Sequence, residues 1–172
     1  KYSKDFQRIG AVSVYGANTN IPFEAGSLRM TETAGKLYIH TCHEMYTDSD
    51  GLNHQANMTF VINENDMSVE QSYYDVLNLA QAGYVSHSFN QFIQTDGENI
   101  YRVDHGDYAP RGIALIKSQV GGSITKVDYA IPVGLGKVTG GHYNSTGSSV
   151  GGFEITSEKC IIAGNAVDFE SE

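Results

Sequence analysis

The chain has 172 residues, 40% hydrophobic and 18% charged, a composition that gives a folded core rather than a disordered segment. Lys and Arg number 11 against 20 Asp and Glu, and the formal charge of −9 repels a phosphate backbone, so nucleic acid is excluded as an expected partner. No apolar run approaches the roughly 18 residues a spanning helix needs, and no membrane insertion is expected.

No charged start followed by an apolar stretch marks a signal peptide, and the start at Lys1 rather than Met reads as a processed product or a piece of a longer polypeptide. Tyrosine (11), glycine (19) and β-branched residues stand where helix formers would, which makes this an all-β composition punctuated by turns. Cys42 and Cys160 are too few for a disulfide scaffold; they form one bridge or remain two separate thiols.

In chain order, Arg8 to Tyr15 is predicted as the first strand, and residues 16–27 as a loop. Leu28 to Glu32 and Lys36 to Tyr46 follow as strands joined by Thr33-Ala34-Gly35. Asp48-Ser49-Asp50-Gly51 is a turn, and Asn57 to Asn63 another strand. Met67 to Gln81 is the one segment with helical spacing, through Val69, Tyr73, Val76, Leu77 and Ala80. A three-strand meander comes next: Tyr84 to Gln94, Asn99 to His105, and a third strand from Ile113, with Asp96-Gly97 supplying the tight turn. Ser123 to Ile131, a Gly-rich passage over 134–152, and strands at Phe153 to Thr156 and Lys159 to Val167 complete the chain.

The chain also matches itself. Gly26 to Thr41 aligns with Gly151 to Gly164, pairing Leu28 with Phe153, Met30 with Ile155, Lys36 with Lys159 and Ile39 with Ile162. A second alignment sets His40 to Met45 over His87 to Phe92, so copies of one strand begin near Leu37, Tyr84 and Cys160.

Repeated antiparallel meanders of this kind, with VSHSFNQF and DHGDYAPRGI as blade-like motifs, resemble β-propeller proteins, particularly uncharacterised bacterial secreted and cell-surface ones. The resemblance covers most of the chain and implies approximate blades at 8–75, 76–133 and, incomplete, 134–172. No Trp-Asp ending or regular kelch double glycine accompanies it, and a β-sandwich is the alternative fold. A ring of this type needs at least four blades, so the resemblance implies a partial ring completed by other segments of the same protein or by identical subunits. It further implies an extracellular or cell-surface location.

Three groups of residues carry candidate chemistry. His40 and His87 take equivalent places in the repeat, either as packing residues bonded to backbone or, with Cys42 and His43, as metal ligands. Asp104, His105, Asp107 and Arg111 cluster where a strand gives way to a loop, and serve either as a ligand or acid–base site at the blade ends or as a paired turn. Asp48 and Asp50 offer alternate oxygens for calcium, although Gly51 comes too early for the usual calcium loop and a hairpin turn is the competing reading. No other cofactor is expected.

Asn57-Met58-Thr59 and Asn144-Ser145-Thr146 fit the N-glycosylation pattern, and Tyr46, Tyr108 and Tyr143 are candidates for stacking on a carbohydrate or protein ligand. Phosphate-binding, nucleophile-elbow and Cys-x-x-Cys motifs are absent. The expected function is a non-catalytic binding or structural module. One alternative is an enzyme with its polar site at the blade ends, and another is an assembly subunit joined through unpaired strands.

Overall fold

A computed structural model describes residues 1–15, 28–47, 53–75, 91–106, 112–122, 124–132 and 149–165. Within them the chain is all-β and antiparallel, and no sheet closes into a barrel. The first sheet is a four-stranded meander of β1 (Arg29–Thr33), β2 (Lys36–Thr47), β3 (Asn53–Asn63) and β4 (Val69–Asp75). A second meander consists of β5 (Phe92–Thr95), β6 (Asn99–Gly106), β7 (Gly112–Gln119) and β8 (Ile124–Pro132). The hairpin of β9 (Ser149–Ile155) and β10 (Cys160–Asn165) forms the third unit.

The three units stack in chain order through their first strands, β1 lying beside β5 and β5 beside β9. Period-two alternation along β6 explains how one strand serves two interfaces. Ile100, Arg102 and Asp104 turn to the first sheet, where Ile100 and Ile93 pack with Tyr38 and Val61. Val103 turns the other way, joining Ile113, Val150 and Phe153 under the hairpin, with Phe92, Tyr101 and Leu115 at the margin. Gln94 fastens that second interface by donating to the Phe153 carbonyl at 2.8 Å and accepting from the Ile155 amide at 3.0 Å. On β3, Met58, Phe60 and Ile62 are buried on one face while Asn57, Thr59 and Val61 are buried on the other.

Several strand boundaries differ from the sequence expectation, each for a local reason. Arg8 to Tyr15 is not a strand: Phe6 at φ 61° turns the chain back, and Ile9 and Gly10 donate to the Lys1 carbonyl, leaving only a Tyr2–Arg8 bridge. The helical reading of Met67 to Gln81 is also corrected. Met67 has φ 61°, Ser68 donates to the Asp66 carboxylate through both its amide and its hydroxyl, and Val69–Asp75 enters the ladder of β3; residues 76–81 lie outside the described set.

Strand β3 starts earlier than expected, at Asn53, because Asn53 and Gln55 to Asn57 pair with β2. In the same way β7 starts at Gly112, paired with both Gly106 and Pro132. The expected strand at Tyr84 to Gln94 contributes only Phe92–Thr95 among the described residues. The hairpins β1–β2 and β9–β10 are the two segments that align within the sequence. The second alignment fares differently, since the strand standing second in the second sheet is Asn99–Gly106, and His87 lies outside the described residues.

The turn at Asp96-Gly97 forms as its sequence predicts, with Gly97 at φ 97°. The Asp96 carboxylate accepts from the amides of Glu98 at 2.9 Å and Asn99 at 2.7 Å and from the Tyr101 hydroxyl at 2.8 Å. Burial would raise its titration, but those hydrogen bonds prevail and hold it far below the usual carboxylate range.

The β1–β2 turn carries a residual strain: Ala34 sits at φ 53° before Gly35 at φ 71°, a pair of left-handed residues of the kind Asn-Gly supplies most readily. Ala34→Asn is therefore expected to raise stability by about 0.5–1 kcal/mol, read as a higher urea midpoint with an unchanged slope.

Candidate functional site

The polar residues that the fold brings together lie between the first and second sheets. His40 on β2 faces Thr59 on β3 as its cross-strand partner, and Nδ1 of His40 is 2.9 Å from the Thr59 hydroxyl. Nε2 reaches Oδ1 of Asp104 on β6, in the other sheet, at 2.7 Å. Arg102, two residues before Asp104 and so on the same face, donates from its guanidinium to the Thr59 hydroxyl at 3.3 Å. Gln91, at the entrance to β5, donates to the Asn57 side-chain carbonyl at 3.3 Å. His40, Thr59, Asn57, Gln91, Arg102 and Asp104 are all 0% exposed.

The electrostatics follow from that burial. A dry environment disfavours the charged carboxylate of Asp104, and alone would raise its titration. The imidazole at hydrogen-bond distance, the Arg102 guanidinium and the nearby Asn57 amide outweigh it, and the carboxyl is held below its ordinary value. An ionised Asp104 has no proton to give, so Nε2 of His40 must carry the hydrogen between them. Thr59 then takes the Arg102 proton on one lone pair and completes the chain to Nδ1. The result is a hydrogen-bonded relay of Arg, Thr, His and Asp that crosses from one sheet to the other and has no opening to solvent. Asp104 Oδ2 accepts no hydrogen bond of ordinary geometry.

The predicted site residues separate accordingly. His40 and Asp104, read from the sequence as members of two different groups, are one pair. His105 pairs through its backbone with Ile113, while Asp107, Arg111, His87, Asp48 and Asp50 lie outside the described residues. Among the described residues no group of three or more His, Cys, Asp or Glu is placed to hold a metal, and both ring nitrogens of His40 are engaged.

Asn57 is sealed in the interface and bonded to Gln91, so its glycosylation pattern cannot be used in the folded chain. Cys160 is an exposed free thiol, which removes the disulfide reading for it; burial and the Asp96 charge push the thiol up, partly offset by Lys117. Sequence reading missed Thr59, Arg102 and Gln91. The Arg-x-Asp spacing at 102 and 104 was the available signal, since it places a cation and an anion on one strand face. Among the described residues no helix is long and apolar enough to cross a membrane. No family model matches the chain, and no curated protein or solved structure gives a significant match.

Removing one partner of a buried ion pair leaves the other uncompensated, at a cost of about 3–5 kcal/mol. Asp104→Ala should show that loss in urea unfolding at pH 7. The sign of its pH dependence is set by the lowered carboxyl: the stabilisation is complete above the unfolded value of about 3.9 and is lost as pH falls through the folded one. The deficit of the variant relative to the parent should therefore be constant above about pH 5 and shrink on further acidification.

Proposed function

We propose that the chain is a propeller-type stack of blades serving as a non-catalytic binding or structural module of an extracellular or cell-surface protein. Two four-stranded meanders followed by a hairpin, with successive first strands adjacent, support the blade reading. So does the burial of both faces of β3 and β6, which a blade packed between neighbours requires and a one-sided sheet does not. The extracellular setting rests on the resemblance of the sequence motifs alone.

The observation that carries the non-catalytic reading is the complete enclosure of the charged relay. Asp104 and His40 are spent on each other between two sheets, with no exposed surface from which to meet a substrate. A group that works as acid or base must lie within hydrogen-bond reach of the substrate proton. The relay instead selects the pairing of two particular sheets, because any other partner would leave Asp104 charged and unpaired.

The enzyme alternative, with Asp104, His105, Asp107 and Arg111 at the blade ends, would need Asp104 to turn out of this interface. Binding of a carbohydrate or protein ligand is assigned to exposed surface and not to the relay.

Chemical modification separates the two readings. Treatment of the folded protein with diethyl pyrocarbonate, followed by peptide mass mapping, should leave His40 unmodified, and unfolding in urea should make it fully reactive. Rapid modification of His40 in the folded chain would show an accessible imidazole and favour the enzyme.

A further inference from the structure

The face of the second sheet that meets the β9–β10 hairpin is apolar at one end and charged at the other. Period-two alternation and the strand registers put two rows of side chains on it: Val103, Leu115 and Asp128 across β6, β7 and β8, and beside them Tyr101, Lys117 and Lys126. Val103 is sealed under the hairpin, with Tyr101 and Leu115 at the margin. Next to that margin a cavity of about 260 Å³ is lined by Tyr101, Leu115, Lys117, Lys126, Asp128 and Cys160, the first residue of β10. Its size lies near the lower end of small-molecule sites, roughly 300 Å³.

The charge pattern in this cavity is one that folding alone does not favour. Lys117 and Lys126 stand directly opposite each other in the β7–β8 ladder, and like charges so placed repel. Among the described residues neither ammonium forms an ion pair, although the chain carries 20 Asp and Glu. Asp128 lies one row away, opposite Leu115 and diagonal to Lys117. Two ammoniums against one carboxylate leave the cavity positive, in a protein whose formal charge is −9.

The apolar part of the cavity is held in place. The Tyr101 hydroxyl donates to the Asp96 carboxylate at 2.8 Å, which fixes the ring, and the Lys117 ammonium lies 5.3 Å from the ring centroid, which fixes the cation over it. Burial pushes the Cys160 thiol up, Lys117 offsets this in part and Asp96 adds to it, so the sulfur is a neutral, polarizable wall and not a competing anion. Leu115 completes the apolar lining.

We infer that this cavity binds a small organic monoanion, a carboxylate joined to an apolar or aromatic body, with its charge between Lys117 and Lys126 and its body against Leu115, the Tyr101 ring and Cys160. The carboxylate relieves the repulsion within the lysine pair, and burying the body removes apolar surface from water. The volume equals the share of about nine water molecules in the liquid, at roughly 30 Å³ each, which matches a single ring with a short acid side chain. The inference supplies a ligand class for the binding-module reading and rests on it, at a site separate from the buried relay.

The test uses Cys160 as a natural reporter of occupancy. Alkylation of the folded chain by the neutral reagent iodoacetamide is followed at low ionic strength on the Cys160 peptide by mass spectrometry, with phenylacetate or its uncharged amide, phenylacetamide, as the probe. Phenylacetate should slow the reaction in a saturable way, and phenylacetamide should need a roughly tenfold higher concentration for the same protection. Lys126→Gln, which removes the repulsion in the free protein, should raise the urea midpoint while weakening protection by phenylacetate roughly tenfold. Equal protection by acid and amide, no protection by either, or undiminished protection in Lys126→Gln would each overturn the proposal. The readout is at Cys160, whereas the non-catalytic reading is tested at His40, so the two fail separately.

Discussion

The contact on which this structure depends is the 2.7 Å hydrogen bond between His40 and Asp104. Two further buried hydrogen bonds join the same sheets, Arg102 to Thr59 and Gln91 to Asn57, each longer at 3.3 Å, and the remaining buried contact is apolar and so indifferent to modest sliding. A carboxylate placed where water cannot reach it is different, because its desolvation costs several kcal/mol unless opposite charge and hydrogen bonds are supplied in place. Arg102 and His40 supply them, and Thr59 holds both donors in position. The relay therefore acts as a registration device. Hydrophobic burial of Tyr38, Val61, Ile93 and Ile100 drives the two sheets together, and the polar chain selects one alignment.

Burial has a second consequence, for function. The same groups that make an attractive site in the sequence, a histidine, an aspartate and an arginine, are consumed by the fold. In the dry interface Nε2 of His40 is bonded to Asp104 and Nδ1 to Thr59, and none of the three side chains reaches solvent. Exposed features among the described residues are of another character: a cavity of about 260 Å³ lined by Tyr101, Leu115, Lys117, Lys126, Asp128 and Cys160, and the exposed apolar side chains of Phe6, Ile9 and Tyr15.

Much of the architecture was legible in the sequence because period-two alternation and turn chemistry are local. Asp96-Gly97 and Ala34-Gly35 both mark hairpins, and the alignment of the β1–β2 segment with the β9–β10 segment reflects two hairpins of one kind. What failed was also local, but depended on tertiary partners. Arg8 to Tyr15 has strand propensity but, among the described residues, only the Tyr2–Arg8 bridge to pair it, while Val69–Asp75 has helical spacing and the β3 edge beside it.

The site was half legible. His40 and Asp104 each stood out as polar residues in apolar strands, but no local pattern could pair residues from different sheets; His87, which the repeat set in the place equivalent to His40, lies outside the described residues. Thr59 and Arg102 were hidden for the same reason, since the role of each exists only once two sheets meet.

A double-mutant cycle on the pair tests the central claim most directly. His40→Phe, Asp104→Leu and the double variant would be compared with the parent by urea unfolding at pH 7. If the relay fixes the two sheets, the double variant costs less than the sum of the single changes, with a coupling energy of about 2–3 kcal/mol. Losses that add to within about 0.5 kcal/mol would mean that His40 and Asp104 do not act on each other, and that the sheets are aligned by packing alone.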